Sequence, residues 1–148
     1  MNTIITDILS KAGWFEGRKS DISDYMQWFA DEGYDPPLRV VDFLLEFGGL
    51  ELHIPFHRKH HVERFFHTVL FDPEENGFEF EFINKYNDFL NVSLYPVGVS
   101  SVVPDVFMDQ NGAFYLMYGD IGTKCGDSLE EFVTIIMNND VPWLGRAY

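Results

Sequence analysis

The sequence predicts an α+β fold: helices first, an antiparallel sheet in the middle and a closing helix. Three observations predict it. From Asp35 to Ile54, a mostly apolar helical stretch runs into Gly48-Gly49 and then alternates as a strand. Val102 to Met108 and Ala113 to Tyr118 flank Asp109-Gln110-Asn111-Gly112, the signature of a hairpin closed by an Asn-Gly turn. Leu129, Phe132, Val133 and Ile136 recur at helical spacing near the end of the chain. With 148 residues, a single domain spanning 1–148 with its own core is expected.

In chain order, Ile4, Ile5, Ile8, Leu9 and Ala12 mark one face of a first helix, stopped by Gly13. Trp14 to Lys19 reads as a loop. Asp21 or Ser20 can cap a second helix with Ile22, Tyr25, Met26 and Phe29 on its apolar face and Gly33 at its end. The third helix is the organising one. Asp35 suits its N-cap and Pro36 its first position, where a missing N–H costs nothing. Val40, Val41, Phe43, Leu44, Leu45 and Phe47 form a broad apolar face, with Arg39, Asp42 and Glu46 as a narrow polar stripe. Gly48 is expected to take the left-handed conformation at its end, and Gly49 to reverse the chain. Leu50, Leu52 and Ile54 then alternate with Glu51 and His53, the period of a half-buried strand.

Phe65, Val69 and Phe71 predict a strand running into Asp72-Pro73. Phe78 to Leu90 carries two periods. Phe78, Phe80 and Phe82 alternate with Glu79 and Glu81, whereas Phe82, Ile83, Tyr86, Phe89 and Leu90 share one side of a helix. A helix from about Glu79 to Leu90 accounts for more of these residues. Val92 and Leu94 then open a β-rich section through a turn at Tyr95-Pro96-Val97-Gly98. Gly119 to Gly126 reads as a strand-to-helix turn. Asp127 or Ser128 caps the last helix, with Glu130 or Glu131 completing a capping box. Residues from Asn138 to Tyr148, with Pro142 and Gly145, read as irregular.

Hydrophobic residues make up 46% and aromatic residues 17%, which excludes a disordered chain. Fifteen phenylalanines suggest a core built more from rings than from aliphatic side chains. Ten Lys plus Arg against 24 Asp plus Glu leave a net charge of −14, which opposes binding to nucleic acid or an anionic membrane and favours basic partners. One cysteine, Cys125, excludes an internal disulfide framework. The first residues lack the basic-then-apolar pattern of a signal peptide and no run approaches a membrane span, so a cytoplasmic protein is the expectation.

Few residues suggest reaction chemistry. His57, His60 and His61, with His53 and His67 nearby, form the sharpest cluster, in the one locally basic segment, which carries Arg58, Lys59 and Arg64. Imidazoles bind zinc, and His57 and His61 would share a helix face. Pro55 and the flanking strand patterns disfavour a helix there, so a solvated basic loop is preferred and no metal or cofactor is expected. Cys125 follows Lys124, which could lower its pKa, but no histidine is close in sequence and a plain loop thiol is preferred. Gly119 to Gly126 lacks the spacing of a phosphate-binding loop. Asn91-Val92-Ser93 fits the glycosylation sequon, a pattern too short to carry weight. With 24 carboxylates no acid/base pair can be singled out. Charge density is more telling. Asp72, Glu74, Glu75, Glu79, Glu81 and Asp88 are met only by Lys85 in the same stretch, which reads either as a solvated face or as a docking surface for a basic partner. Glu74, Glu75, Glu79, Glu81 and Asp88 are the candidate partner-binding residues.

Several pieces occur in a familiar order. Ala12-Gly13-Trp14 precedes Gly17-Arg18, and Val41 to Leu50 contains Phe-Leu-x-x-Phe-Gly-Gly-Leu. Phe71-Asp72-Pro73, Leu94-Tyr95-Pro96-Val97-Gly98, Asn111-Gly112, and Gly119 and Gly126 ahead of the closing helix follow. This order and spacing resembles the SUKH immunity-protein superfamily, most of all its third subgroup, over nearly the whole chain. The resemblance implies an α+β, non-catalytic domain that binds and neutralises a toxin encoded beside it, often a nuclease or a deaminase. It transfers no partner-contact residue, and Trp14 and Arg18 are read as packing positions. The expected partner is a basic toxin domain, with the oligomeric state left open. A regulatory or scaffolding module without a toxin partner, and a small hydrolase using carboxylates or the histidines, remain as alternatives.

Overall fold

The computed structural model describes residues 1–56, 65–119 and 121–141. Three helices come first: α1 (Thr3–Lys11), α2 (Ser23–Glu32) and α3 (Leu38–Phe47). Strands β1 (Glu51–Phe56) and β2 (Phe65–Leu70) follow, then a 3-10 turn at Pro73–Glu75 and α4 (Phe80–Leu90). Strands β3 (Leu94–Ser100), β4 (Asp105–Asp109), β5 (Phe114–Tyr118) and β6 (Ile121–Lys124) lead to α5 (Leu129–Met137). All six strands form one antiparallel sheet in sequence order, β1 to β6. The α+β architecture read from the sequence is the one observed.

The core is a chain of rings. Phe43 of α3 packs edge-on against Phe71 at 5.0 Å and Phe114 of β5 at 5.4 Å, and Phe114 stacks on Phe132 of α5 at 4.7 Å. Such offset and edge contacts add to what ring burial alone contributes. Met108 pairs with Phe114 across β4 and β5, so it shares this face. Phe107, one residue away and therefore on the opposite face, packs on Phe78 ahead of α4 at 5.5 Å. The central strands are thus covered on both sides, and Val106 to Met108 and Phe114 to Met117 are all buried. β1, at the edge, keeps the alternation expected of it, with Leu52 and Ile54 buried and Glu51 and His53 exposed.

The junction after α3 differs from expectation. The helix begins at Leu38, with Pro37 rather than Asp35 at the cap and no side chain capping it. Gly48 has φ −58° and is not left-handed; Gly49, at φ +82°, carries the reversal. Gly48 is required for another reason. A Cβ there would collide with the carbonyl oxygen of Leu44 and lie 3.1 Å from the Tyr25 ring. The carbonyls at the end of α3 are claimed by the loop before α2. Arg18 donates from one guanidinium nitrogen to Glu46 O (2.6 Å) and from the other to Gly48 O (2.9 Å). Ser20 donates from its backbone N–H to Leu45 O (2.8 Å) and from its hydroxyl to Leu44 O (3.2 Å) and Leu45 O (3.0 Å). A helix end has no intrahelical donors for its last carbonyls, so these bonds fix the loop on α3. Trp14 adds a hydrogen bond to Glu46 (2.9 Å) and stacks on Phe47. Trp14 and Arg18 are packing and capping residues.

Three further expectations are corrected. Ile22 stands at the start of α2 with no side-chain cap, where Asp21 or Ser20 was expected to cap it. Tyr95 to Gly98 is not a turn but the middle of β3, whose register against β4 shifts between Pro96 and Gly98. The bulge accommodates Pro96, which cannot donate to a ladder, and Gly98 passes so close to Leu70 O that a side chain would collide with it. Gly119 to Gly126 contains a strand, β6, where a plain turn was expected. Other expectations hold. Gly33 ends α2 at φ +98°, α4 is a helix starting within a residue of the expected position, and Ser128 caps α5 by accepting from Glu131 N. Glu131 reaches back to the backbone N–H of Asp127 (2.7 Å), one residue before the position a strict capping box would use.

Candidate functional site

The acidic segment forms one wall of a groove and α2 forms the other. Trp28 and Glu32 of α2 face Glu74, Gly77, Phe78, Glu79, Phe80 and Glu81 across it, with Asn76 at its base. The base is rigid for a local reason. Asn76, buried, donates through Nδ2 to Gly98 O (3.3 Å) and Val106 O (3.2 Å), and its Oδ1 accepts from Phe78 N (3.0 Å). Asp105 accepts from Gly77 N at 2.8 Å. These bonds tie the approach to α4 onto the bulged part of the sheet. Buried Tyr34 backs the two walls: it meets Phe80 edge-on at 4.9 Å and stacks with Trp28 at 6.1 Å.

Glu74, Glu75, Glu79 and Glu81 are all exposed. Partial desolvation, then the charges of Asp72, Asp24 and Glu75, hold the Glu74 carboxyl above its ordinary range. Burial likewise raises Asp105, against the opposing pull of its bond from Gly77. The candidate residues therefore divide. Glu74, Glu79 and Glu81 line the groove, and Glu75 sits beside Glu74 on the 3-10 turn. Asp88 does not line it; it borders a separate polar depression with Asn84, Asn87, Asn91, Ser93 and Gln110. Trp28 and Glu32 escape a reading of charge along the chain, because they reach the groove from α2, far from the acidic segment in sequence. An unexplained Trp on an acidic helix is the only sequence signal that could have marked them.

The chemistry candidates fare differently. His57, His60 and His61 lie outside the described residues. His53 is exposed 3.7 Å from Glu51, while His67 stacks on Phe56 at 3.8 Å with its pKa lowered by burial. His67 pairs with Ile54, so it lies on the opposite face of the β1–β2 pair from His53, and the two cannot share one ion. Among the described residues, no three His, Cys, Asp or Glu side chains are grouped to hold a metal. Cys125 is buried and its thiol is pushed up to about 12. Lys124, the neighbouring cation, turns instead to Asp127 at 2.5 Å. No described helix is long and apolar enough to cross a membrane.

Fold and groove define an α+β domain with a carboxylate-rimmed, ring-lined surface. A family model described as SUKH-3 immunity protein matches residues 1–139. The chain belongs to that family. No curated protein and no solved structure matches it.

Proposed function

We propose that this chain is a non-catalytic immunity protein that acts in the cytoplasm, binding a cognate toxin and covering its working surface. The family supports the immunity role, and the groove supplies the docking surface. The observation that carries the choice of surface is the convergence of Glu32, Glu74, Glu79 and Glu81 on Trp28, Phe78 and Phe80. Rings at the centre and charges at the rim are the usual anatomy of a protein interface. The partner that fits is a basic toxin domain, a nuclease or deaminase, because an enzyme that holds phosphates is positive where it holds them. No cofactor is needed for this, and a net charge of −14 disfavours nucleic acid and membrane as direct partners.

The test is co-expression with the toxin domain encoded beside this chain, followed by binding kinetics on the purified pair. Protection and a complex are expected, with an association rate that falls steeply with salt and a dissociation rate that changes less. Reversing Glu74, Glu75, Glu79 and Glu81 to Lys together is expected to slow association by about tenfold or more. Absence of both protection and complex defeats the immunity reading and leaves a regulatory or scaffolding module. Protection with unchanged rates in the reversed variant defeats only the surface.

A further inference from the structure

The groove continues into an apolar cleft. Gly77, Phe78 and Glu79 belong to both, and beyond them the cleft is lined by Phe82, Tyr86 and Gly119. Phe82, Tyr86 and Phe89 recur at i, i+4 and i+7, a single stripe along α4. Phe82 is 56% exposed, Phe89 83% and Tyr118, beside Gly119, 54%. Tyr86 is held in place by its hydroxyl, which donates to Gly119 O at 3.0 Å, and by an edge contact with Phe78 at 6.3 Å. The position above Gly119 is open: apart from its chain neighbours, no atom of the described residues lies within 4 Å of where a Cβ would stand. One face of this site already attracts a cation: Lys85 Nζ lies 5.6 Å from the centroid of the Phe82 ring.

We propose that this cleft receives one arginine side chain of the bound basic protein, which displaces Lys85 from Phe82. The aliphatic stem lies against Phe78 and Tyr86, the guanidinium stacks on Phe82, and the Glu79 carboxylate accepts its outer N–H groups. Charge complementarity selects a cation, since the groove that opens into the cleft carries Glu32, Glu74, Glu79 and Glu81. The rings and the carboxylate together select arginine over lysine, because a planar guanidinium stacks and forks at once whereas an ammonium does neither well. The inference rests on the toxin-binding reading for the identity of the partner, and not for the chemistry of the cleft.

The probe is a hexa-arginine peptide, added to the isotope-labelled full chain at near-physiological salt and followed by backbone amide shifts. The largest shifts are expected at Gly77, Phe82 and Gly119. Phe82→Ala and Glu79→Gln are each expected to weaken the peptide about five- to tenfold, and Lys85→Met to tighten it. All three positions are exposed, so folding is expected to survive, which a melting curve on each variant checks. Hexa-lysine is expected to bind several-fold more weakly. Shifts centred on Glu32 and Glu74, equal affinity for hexa-lysine, or a Phe82→Ala variant that binds as well as the parent would overturn the proposal. Peptide binding here without protection against the toxin defeats the toxin reading alone; protection without focused shifts here defeats this inference alone.

Discussion

At the scale of single residues, Gly48 shows how the same residue can be required for a reason other than the obvious one. A glycine after an amphipathic helix suggests a left-handed cap, but the helix end is closed by Gly49, and Gly48 is excluded from bearing a side chain by Leu44 O and Tyr25. Gly48→Ala is therefore expected to cost about 1–3 kcal/mol, the usual cost of overpacking. Thermal melting reads it, and an unchanged midpoint would contradict the crowding. Arg18 is the second such residue. Arg18→Ala removes two charge-assisted bonds to the end of α3 and is expected to destabilise by about 2–3 kcal/mol. Arg18→Lys should recover only part of this, because one ammonium on a flexible stem does not reproduce the fork. Full recovery would mean that charge alone matters there.

At the scale of elements, most of the fold was legible where a single period dominated. The first three helices, the Asn-Gly hairpin and the closing helix follow their apolar spacing, and α4 won over the competing alternation because Ile83 and the residues a turn further on needed a common face. The misread elements are those whose reason lies on another strand. Pro96 and Gly98 look like turn residues, yet they sit in β3 because β2 and β4 approach there and the bulge absorbs the missing donor. β6 has four residues, one of them Gly122, and no apolar alternation; its pairing with β5 makes it a strand. The groove was half legible for the same cause. Its acidic wall is contiguous in sequence and its α2 wall is not. Capping belongs to this scale too. Ser128→Ala is expected to cost about 1 kcal/mol through loss of the bond from Glu131 N. Denaturant melts measure it, and Ser128→Asp should behave as the parent.

At the scale of the whole molecule, charge sets the response to solution conditions. A net charge of −14 works against compactness at neutral pH, and the groove concentrates that repulsion. The sign follows from Glu74. Its folded pKa lies above the ordinary value of 4.5, so the folded state binds the proton more tightly than the unfolded chain does. Asp105 acts in the same direction. Their penalty is absent below the unfolded value and develops as pH rises through the folded one. His67, lowered by burial, acts the other way, so stability is expected to fall as pH drops from 7 through its ordinary value of 6.5. Release of the Glu74 and Asp105 penalties follows at lower pH, toward their ordinary values of 4.5 and 3.8. Asp21, whose pKa is lowered by its bonds from Ser23, opposes the trend only below its ordinary value of 3.8. Added salt at pH 7 should raise the melting point in the same sense. A melting-point profile between pH 6 and pH 4 that is unchanged in Glu74→Gln would refute the assignment.

The packing of α5 has a consequence for how the chain is made. Strands β1 to β6 pair in the order in which they are synthesised, so each can dock on its predecessor as it emerges. The layer over β1 cannot close that way. It is shared between α1, from the first residues, and α5, which packs on both β1 and α1. Leu52 and Ile54 therefore stay uncovered on the α5 side until residues beyond 129 leave the ribosome. A nascent chain arrested at residue 126 should remain protease-sensitive, with native resistance appearing only when α5 is free. The fold of this domain is thus closed by its last helix, and no shorter nascent segment of it carries a finished core.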